Sequence, residues 1–199
     1  SPILPPYYIG FSLCGQVLKL EIGCSARPDP YSKRKIKTYI QEFLEANNGF
    51  EDIEKYGLHE VTLNVLSIER TFVDKLMAVK RYATCGNLHN KVRHIYDVTR
   101  LYTMPEIKVF LEDRNNLKKL LALTKETDTF YLEKRKNAIQ YDPKGAYDFD
   151  SWKDKFTSEI KTIYEKGLND LIYNDKKRNF DDVFRTFSEI NSILKSISE

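Results

Sequence analysis

Lysines, arginines and carboxylates at helical spacing mark where this chain could handle phosphate. Lys75 falls three residues after Phe72 and four before Val79, at the edge of an apolar stripe. An ammonium placed there has two uses. Its stem can cover apolar surface while its head reaches water, or its head can sit at the lip of a cleft and clamp a triphosphate. Arg93, Asp97 and Arg100 lie four and three residues apart, so they share one helical face. Their plain reading is an exposed ion-pair ladder contributing a few tenths of a kcal/mol per pair, roughly. His94 stands beside them as a helix-surface residue. Glu21 and Lys19 occupy the polar face of the alternating stretch QVLKLEI, opposite Leu18, Leu20 and Ile22, which describes a strand with one solvated side. No H-x-x-x-H, H-E-x-x-H or Cys/His ligand set is present, which disfavours zinc. A P-loop, a G-x-G-x-x-G fingerprint and a G-x-S-x-G nucleophile elbow are missing as well.

These groups need elements to hold them. Ile9 to Leu13 and Gln16 to Ile22 are apolar stretches separated by Cys14-Gly15, which predicts the two strands of a hairpin. The stretch CSARPDPYSK follows, rich in turn formers, with Pro28 and Pro30 bracketing Asp29. KRKIKTYIQEFLEANNG then reads as a helix whose stripe is Ile36, Ile40, Phe43 and Leu44, stopped by Asn47-Asn48-Gly49. Its first turn would carry Lys33, Arg34, Lys35 and Lys37. Positive charge there opposes the helix dipole, which leaves two readings: a solvated basic end, or a ligand-binding cluster. Glu60 to Leu66 alternates again, with Val61, Leu63 and Val65 opposite Thr62 and Asn64, and reads as a strand. The first third is therefore β-β-α-β, a sheet too small to stand alone.

From Glu69 onward the period is helical. Phe72, Leu76, Val79 and Ala83 mark one buried stripe. After a Cys-Gly-Asn break, Val92, Ile95, Tyr96, Val98 and Tyr102 mark the next. Pro105 starts a further helix, and Leu117 to Leu123 continues the bundle. Trp152, Phe156, Ile160, Ile163, Gly167 and Leu171 recur at helical spacing, as do Phe180, Val183, Phe184, Phe187, Ile190, Leu194 and Ile197. These stripes read as bundle core. Asp148-Phe149-Asp150, just ahead of Trp152, reads as helix N-terminal capping and dipole charge.

The 199 residues suffice for one domain, or for a small domain with a helical extension. Hydrophobic content of 41% and charge content of 31% exclude a disordered chain, and a net charge of +3 does not by itself indicate nucleic acid. Cys14, Cys24 and Cys85 form an odd, widely spaced set, which fits a reducing cytosol better than a disulfide framework. No apolar run reaches the length of a membrane span. The start, SPILPPYYIGFSLCG, has neither an initiator Met nor the basic region of a signal peptide, which predicts a chain entered part-way.

Two blocks, in order, resemble the abortive-infection nucleotidyltransferase toxins of the AbiEii/AbiGii family. VLKLEIGCSARPDPYSKRKIKTYI resembles that family's second strand block, a strand carboxylate followed by an Ala-Arg-x-Asp-Pro turn and a helix. LSIERTFVDKLMAVKRYA and KVRHIYDVTRLY resemble its lysine helix and the Arg-His-x-Tyr-Asp helix after it. The resemblance implies that Glu21 is a metal-facing carboxylate and that Lys75 is the catalytic lysine contacting nucleotide phosphates. It implies that Asp97 is the catalytic aspartate near that lysine. Arg27, Arg93 and His94 would be on the nucleotide-binding side. It further implies Mg²⁺, a nucleoside triphosphate, an acceptor such as RNA and a cognate antitoxin protein. The family's principal carboxylates come from a Gly-Ser turn and an Asp-x-Asp strand ahead of the Glu21 block. This sequence has no Gly-Ser dipeptide, and its one Asp-x-Asp is the Asp148–Asp150 pair.

The expectation is thus an α+β chain. Residues 1–67 would form a partial nucleotidyltransferase-like β-β-α-β segment, and residues 68–199 an α-helical domain carrying the lysine and aspartate helices. Two functions stay open. One is the C-terminal portion of a nucleotidyltransferase-fold toxin from a toxin–antitoxin or phage-defence system. The other is a non-catalytic helical module that binds a protein or RNA partner.

Overall fold

The computed structural model describes residues 7–13, 16–22, 29–135, 141–168 and 179–198. Strands β1 (Tyr7–Leu13) and β2 (Gln16–Ile22) pair antiparallel, with Leu13 opposite Gln16 and Tyr8 opposite Glu21, as the expected hairpin requires. Residues 28–67 make one compact unit, and the rest of the chain makes the other.

Within 28–67 the order is β3 (Tyr31–Ile36), α1 (Tyr39–Ala46), α2 (Phe50–Tyr56) and β4 (Val61–Leu66). Strand β3 pairs antiparallel with β4, Ile36 opposite Val61 and Tyr31 opposite Leu66. The helix expected from Lys33 begins only at Tyr39, and Thr38 shows why. Its hydroxyl accepts the Gln41 backbone N–H at 3.1 Å, the capping bond that opens a helix. Lys33, Arg34 and Lys35 are strand residues opposite Asn64, Leu63 and Thr62, so the helix-dipole argument for an anion site does not apply to them. Lys35 is answered by Glu60, and Lys37 by Glu45 at 2.8 Å. The α1 stripe also differs from expectation. Ile40 and Phe43 are 61% and 65% exposed, while Ile53 on α2 supplies the unit's buried hydrophobic side chain.

The core of the chain lies in the helices after Ser67. Helix α3 (Ile68–Thr84) continues directly from β4 and packs against α4 (Val92–Tyr102), α5 (Pro105–Glu112) and α6 (Arg114–Arg135). The predicted stripe of Phe72, Leu76, Val79 and Ala83 has no exposed surface, and Val73 and Met77 bury a second side. A helix covered on several sides cannot be amphipathic in the simple sense. This one is the axis of the bundle. It ends in a Schellman motif: Gly86 adopts φ +70°, its N–H reaches the Ala83 carbonyl, and the Asn87 N–H reaches the Tyr82 carbonyl at 2.9 Å. Only a residue without a Cβ holds that left-handed position cheaply. The chain then reverses into a short 3₁₀ turn, Leu88–Lys91, and α4. Pro105 takes the first position of α5, where its missing N–H costs nothing.

The Trp152 segment also differs from expectation. Two 3₁₀ turns, Phe149–Ser151 and Lys153–Lys155, occupy it, and the helix proper, α7 (Ser158–Thr162), starts after Thr157. It runs into a π-helical turn, Ile163–Leu168. Leu171 lies outside the described residues. Asp148 and Asp150 make no capping bond. They hold Lys195 of α8 (Phe180–Ser198) at 2.9 and 3.0 Å instead. The aromatic residues explain the departure. Phe149 and Trp152 meet edge to face with centroids 4.9 Å apart, and Phe156 meets Phe187 at 5.3 Å, a cluster that sets the backbone locally. Two antiparallel pairs and a helical majority make the fold α+β, as expected. Among the described residues no helix is long and apolar enough to cross a membrane.

Asn191 on α8 is 5% exposed, accepts the Phe149 N–H at 2.9 Å and donates to Asp150 at 3.2 Å. Asn191→Ala leaves a buried N–H without its partner and is expected to destabilise the chain by about 1–3 kcal/mol in chemical denaturation. Lys195→Ala removes an exposed clasp and is expected to shift the midpoint far less.

Candidate functional site

Lys75 and Asp97 come together across the α3–α4 contact. The Lys75 ammonium donates to Asp97 Oδ2 at 2.7 Å, and both side chains are 26% exposed. The local sequence produces this directly. Phe72, Leu76 and Val79 fix which side of α3 faces the core, and Val92, Ile95 and Val98 do the same for α4. Lys75 and Asp97 are left at the shared rim. The ladder expected along α4 is not what forms. Asp97 turns to the neighbouring helix, while Arg93 and Arg100 are exposed without a carboxylate partner among the described residues.

His94 sits on the same rim, 23% exposed, with Nδ1 4.0 Å from Asp97 Oδ2. That is too long for a hydrogen bond, and Nδ1 is buried without another partner among the described residues. Burial pushes its pKa down to about 4, helped by the positive charges of Lys75, Lys91 and Arg93, while Asp97 opposes the shift. The imidazole is therefore neutral at physiological pH. Its ring stacks on Tyr82 of α3, centroids 6.2 Å apart and planes at 27°.

The other two expected site residues cannot be joined to this group. Glu21 is placed by its backbone on β2, and its side chain lies outside the described residues. Arg27 lies outside them entirely. Among the described residues no three His, Cys, Asp or Glu side chains gather as a metal-ligand set.

Sequence pattern also passed over a polar seam on the far sides of α3. Arg70, 1% exposed, donates to Asp74 at 2.8 Å, and Asp74 accepts from Thr124 of α6 at 3.0 Å. Arg81 pairs with Asp128 of α6. Lys80, 8% exposed, donates to the Ala146 carbonyl at 2.8 Å and is held below its ordinary pKa by burial. Tyr82 was missed as well. Its signal was available, since it lies seven residues after Lys75 and so on the same helical stripe.

Compared with known families, residues 12–186 match the model described as nucleotidyl transferase AbiEii toxin of a type IV toxin–antitoxin system. That range includes Glu21, Arg27, Lys75, Arg93, His94 and Asp97. No curated protein and no solved structure matches the chain.

Two outcomes follow from the rim geometry. A double-mutant cycle on Lys75→Met and Asp97→Asn, read by denaturation, is expected to give a coupling of about 1 kcal/mol, appropriate to a partly exposed pair. The second concerns acid. The folded pKa of His94 is lowered from 6.5 to about 4, so between those values the unfolded chain binds more protons. The contribution of His94 to stability is intact above about pH 6.5 and lost as pH falls toward about 4. His94→Gln should flatten the dependence of the unfolding midpoint on pH in that window.

Proposed function

The chain belongs to the AbiEii nucleotidyl transferase toxin family of type IV toxin–antitoxin systems, and on that footing we propose that its Lys75–Asp97 rim binds a nucleoside triphosphate for transfer of a nucleotide to an RNA acceptor. One observation carries the reading. The lysine and the aspartate singled out by the resemblance are hydrogen-bonded at 2.7 Å and remain partly open to solvent. Family membership also points to an antitoxin protein as a partner. A role in phage defence belongs to the same proposal.

In the proposed reaction an acceptor hydroxyl oxygen attacks the α-phosphorus of the triphosphate. A new oxygen–phosphorus bond forms, and the bond to the bridging oxygen breaks. Pyrophosphate leaves with the electron pair, and the hydroxyl proton passes to solvent. Negative charge gathers on the leaving group, and an ammonium fixed beside it is most useful at that moment. Asp97 keeps the Lys75 head aimed while no substrate is bound. When phosphate oxygens arrive they offer the ammonium a second acceptor, and it can turn to them without a desolvation step. Arg93, exposed on the same helix, adds charge nearby. Mg²⁺ belongs to the proposal as a companion of the triphosphate, since it commonly binds through substrate phosphates and a few carboxylates rather than in an all-protein cage.

The lack of a Gly-Ser turn and of an Asp-x-Asp strand in this sequence favours a second reading, a non-catalytic helical module that binds a protein or RNA partner. The full-length reading frame product, incubated with labelled triphosphates, Mg²⁺ and RNA, separates the two. Label should enter RNA, and Lys75→Met should lower the rate by about 100-fold or more, the scale of losing one charge stabiliser. Asp97→Asn should lower it less if aiming is its task. Unlabelled RNA together with normal antitoxin binding would leave the binding module as the answer.

A further inference from the structure

The rim does not end at Lys75 and Asp97. Tyr82 follows Lys75 by two helical turns, about 10 Å along the axis, and on the facing helix His94 precedes Asp97 by one turn. Because the two helices meet at both places, the Tyr82–His94 stack lies in line with the ion pair on one continuous surface. Lys91, three residues before His94, closes the line with its ammonium 5.6 Å from the centre of the Tyr82 ring. Lys91 is exposed and has no carboxylate within ion-pairing distance among the described residues, as is true of Arg93. Arg81 also approaches the Tyr82 ring, at 5.4 Å, but it is committed to Asp128.

Two near-parallel rings, each partly open, with an exposed lysine over one and the exposed Arg93 next in sequence to the other, are unusual among the described aromatic residues. The cluster at Phe149, Trp152 and Phe156 is buried and packs edge to face or tilted, with no cation within reach of its rings among the described residues. Core packing explains that cluster fully. It does not explain why three cations, Lys75, Lys91 and Arg93, act on a neutral histidine that has one carboxylate, Asp97, beside it. An exposed ammonium over a half-open ring is weakly favourable, and a flat, negatively charged ligand would add to it. A nucleobase has the required flat face, and the phosphate attached to it has the required charge. An acidic peptide would meet the cations and leave the rings unused.

We infer that Tyr82 and His94 form a seat for an unpaired nucleobase, with Lys91 and Arg93 receiving the phosphate next to it. The seat adjoins the proposed nucleotide-binding rim and rests on that reading for its place in a reaction. The base could belong to the triphosphate or to a single-stranded acceptor, and the chemistry of the seat is the same for both. The neutral state of His94 helps, because an uncharged ring stacks on a base without repelling Lys91 or Arg93.

The test uses the whole chain with two probes, a nucleoside triphosphate and a short single-stranded RNA. Tyr82→Leu keeps apolar volume and removes the π face. It should weaken binding of one or both probes by roughly five- to 150-fold, while Tyr82→Phe, which keeps the face, should stay within about twofold of the parent. Loss with the triphosphate assigns the seat to the donor base, and loss with RNA assigns it to the acceptor. Lys91→Gln should lower the slope of log affinity against log salt by about 0.7 for whichever probe Tyr82 reports, as expected for one lost phosphate contact on a single strand. Binding of both probes unaltered by Tyr82→Leu, equal damage by Leu and Phe, or an unchanged salt slope would each overturn the seat. Lys75→Met, measured in parallel, separates the two ideas. Weakened triphosphate binding there with Tyr82→Leu at parent affinity leaves the rim standing without the seat, whereas the reverse leaves the seat without the rim. A parent chain that binds neither probe overturns both.

Discussion

Helix α3 carries charge through the middle of the helical unit, and neighbouring elements answer much of it. Arg70 and Asp74 engage α6 through Thr124, Arg81 engages α6 through Asp128, Lys75 meets Asp97 on α4, and Lys80 meets the carbonyls of Gly145 and Ala146. Apolar stripes alone tolerate rotation and sliding of one helix on another, because any similar side chain fills a similar gap. Buried charges do not. A misrotated α3 would part Arg81 from Asp128, Lys80 from its carbonyls and Asp74 from Thr124, leaving half-buried polar groups without their partners. The polar seam therefore sets the angular position of α3, and that position in turn decides which residue reaches the rim.

The contrast between Lys75 and Lys80 shows what that choice achieves. They lie five residues apart on one helix, and their surroundings are opposite. Lys80 is nearly enclosed, bound to backbone oxygens that cannot move away, and lowered in pKa by burial. Exchanging its partners would mean breaking the loop around Gly145. Lys75 is a quarter exposed and held by one side-chain carboxylate. A partly exposed pair of this kind is worth about 1 kcal/mol or less, small against what a triphosphate offers an ammonium. Of the two buried-stripe lysines, Lys75 is the one able to change partners.

Much of this was legible in the sequence, and the failures have physical causes. Strands β1, β2 and β4, helices α3, α4, α5 and α8, and the Gly86 break follow from period and turn chemistry, because each stripe keeps its spacing for several turns. Lys33 to Lys37 misled because KRKIK holds one apolar residue, Ile36, too few to show either period, and it adjoins a helical stripe. Thr38 was the discriminating residue. The Trp152 segment misled for the opposite reason. Its apolar spacing is helical, and a cluster of aromatic contacts overrode that preference. At the rim, the ladder of Arg93, Asp97 and Arg100 was drawn along one helix, since sequence shows neighbours at three and four residues. It does not show the helix across the way. Lys75, from that neighbouring helix, is the residue that pairs with Asp97.

The balance of charge at the rim also says what kind of work this part of the chain suits. Lys75, Lys91 and Arg93 all act electrostatically on the neutral His94, with Asp97 as the one opposing carboxylate. Such a surface attracts a polyanion from solution before any counterion is in place, and its pull would fade as salt rises. A cluster of carboxylates would do the reverse, repelling phosphate until a divalent cation bridged the two. Among the described residues the rim has the first character and lacks the second. On the proposed reading its task is the neutralisation and aiming of phosphate, which depends on Lys75 being held ready, and the 2.7 Å contact with Asp97 is what holds it.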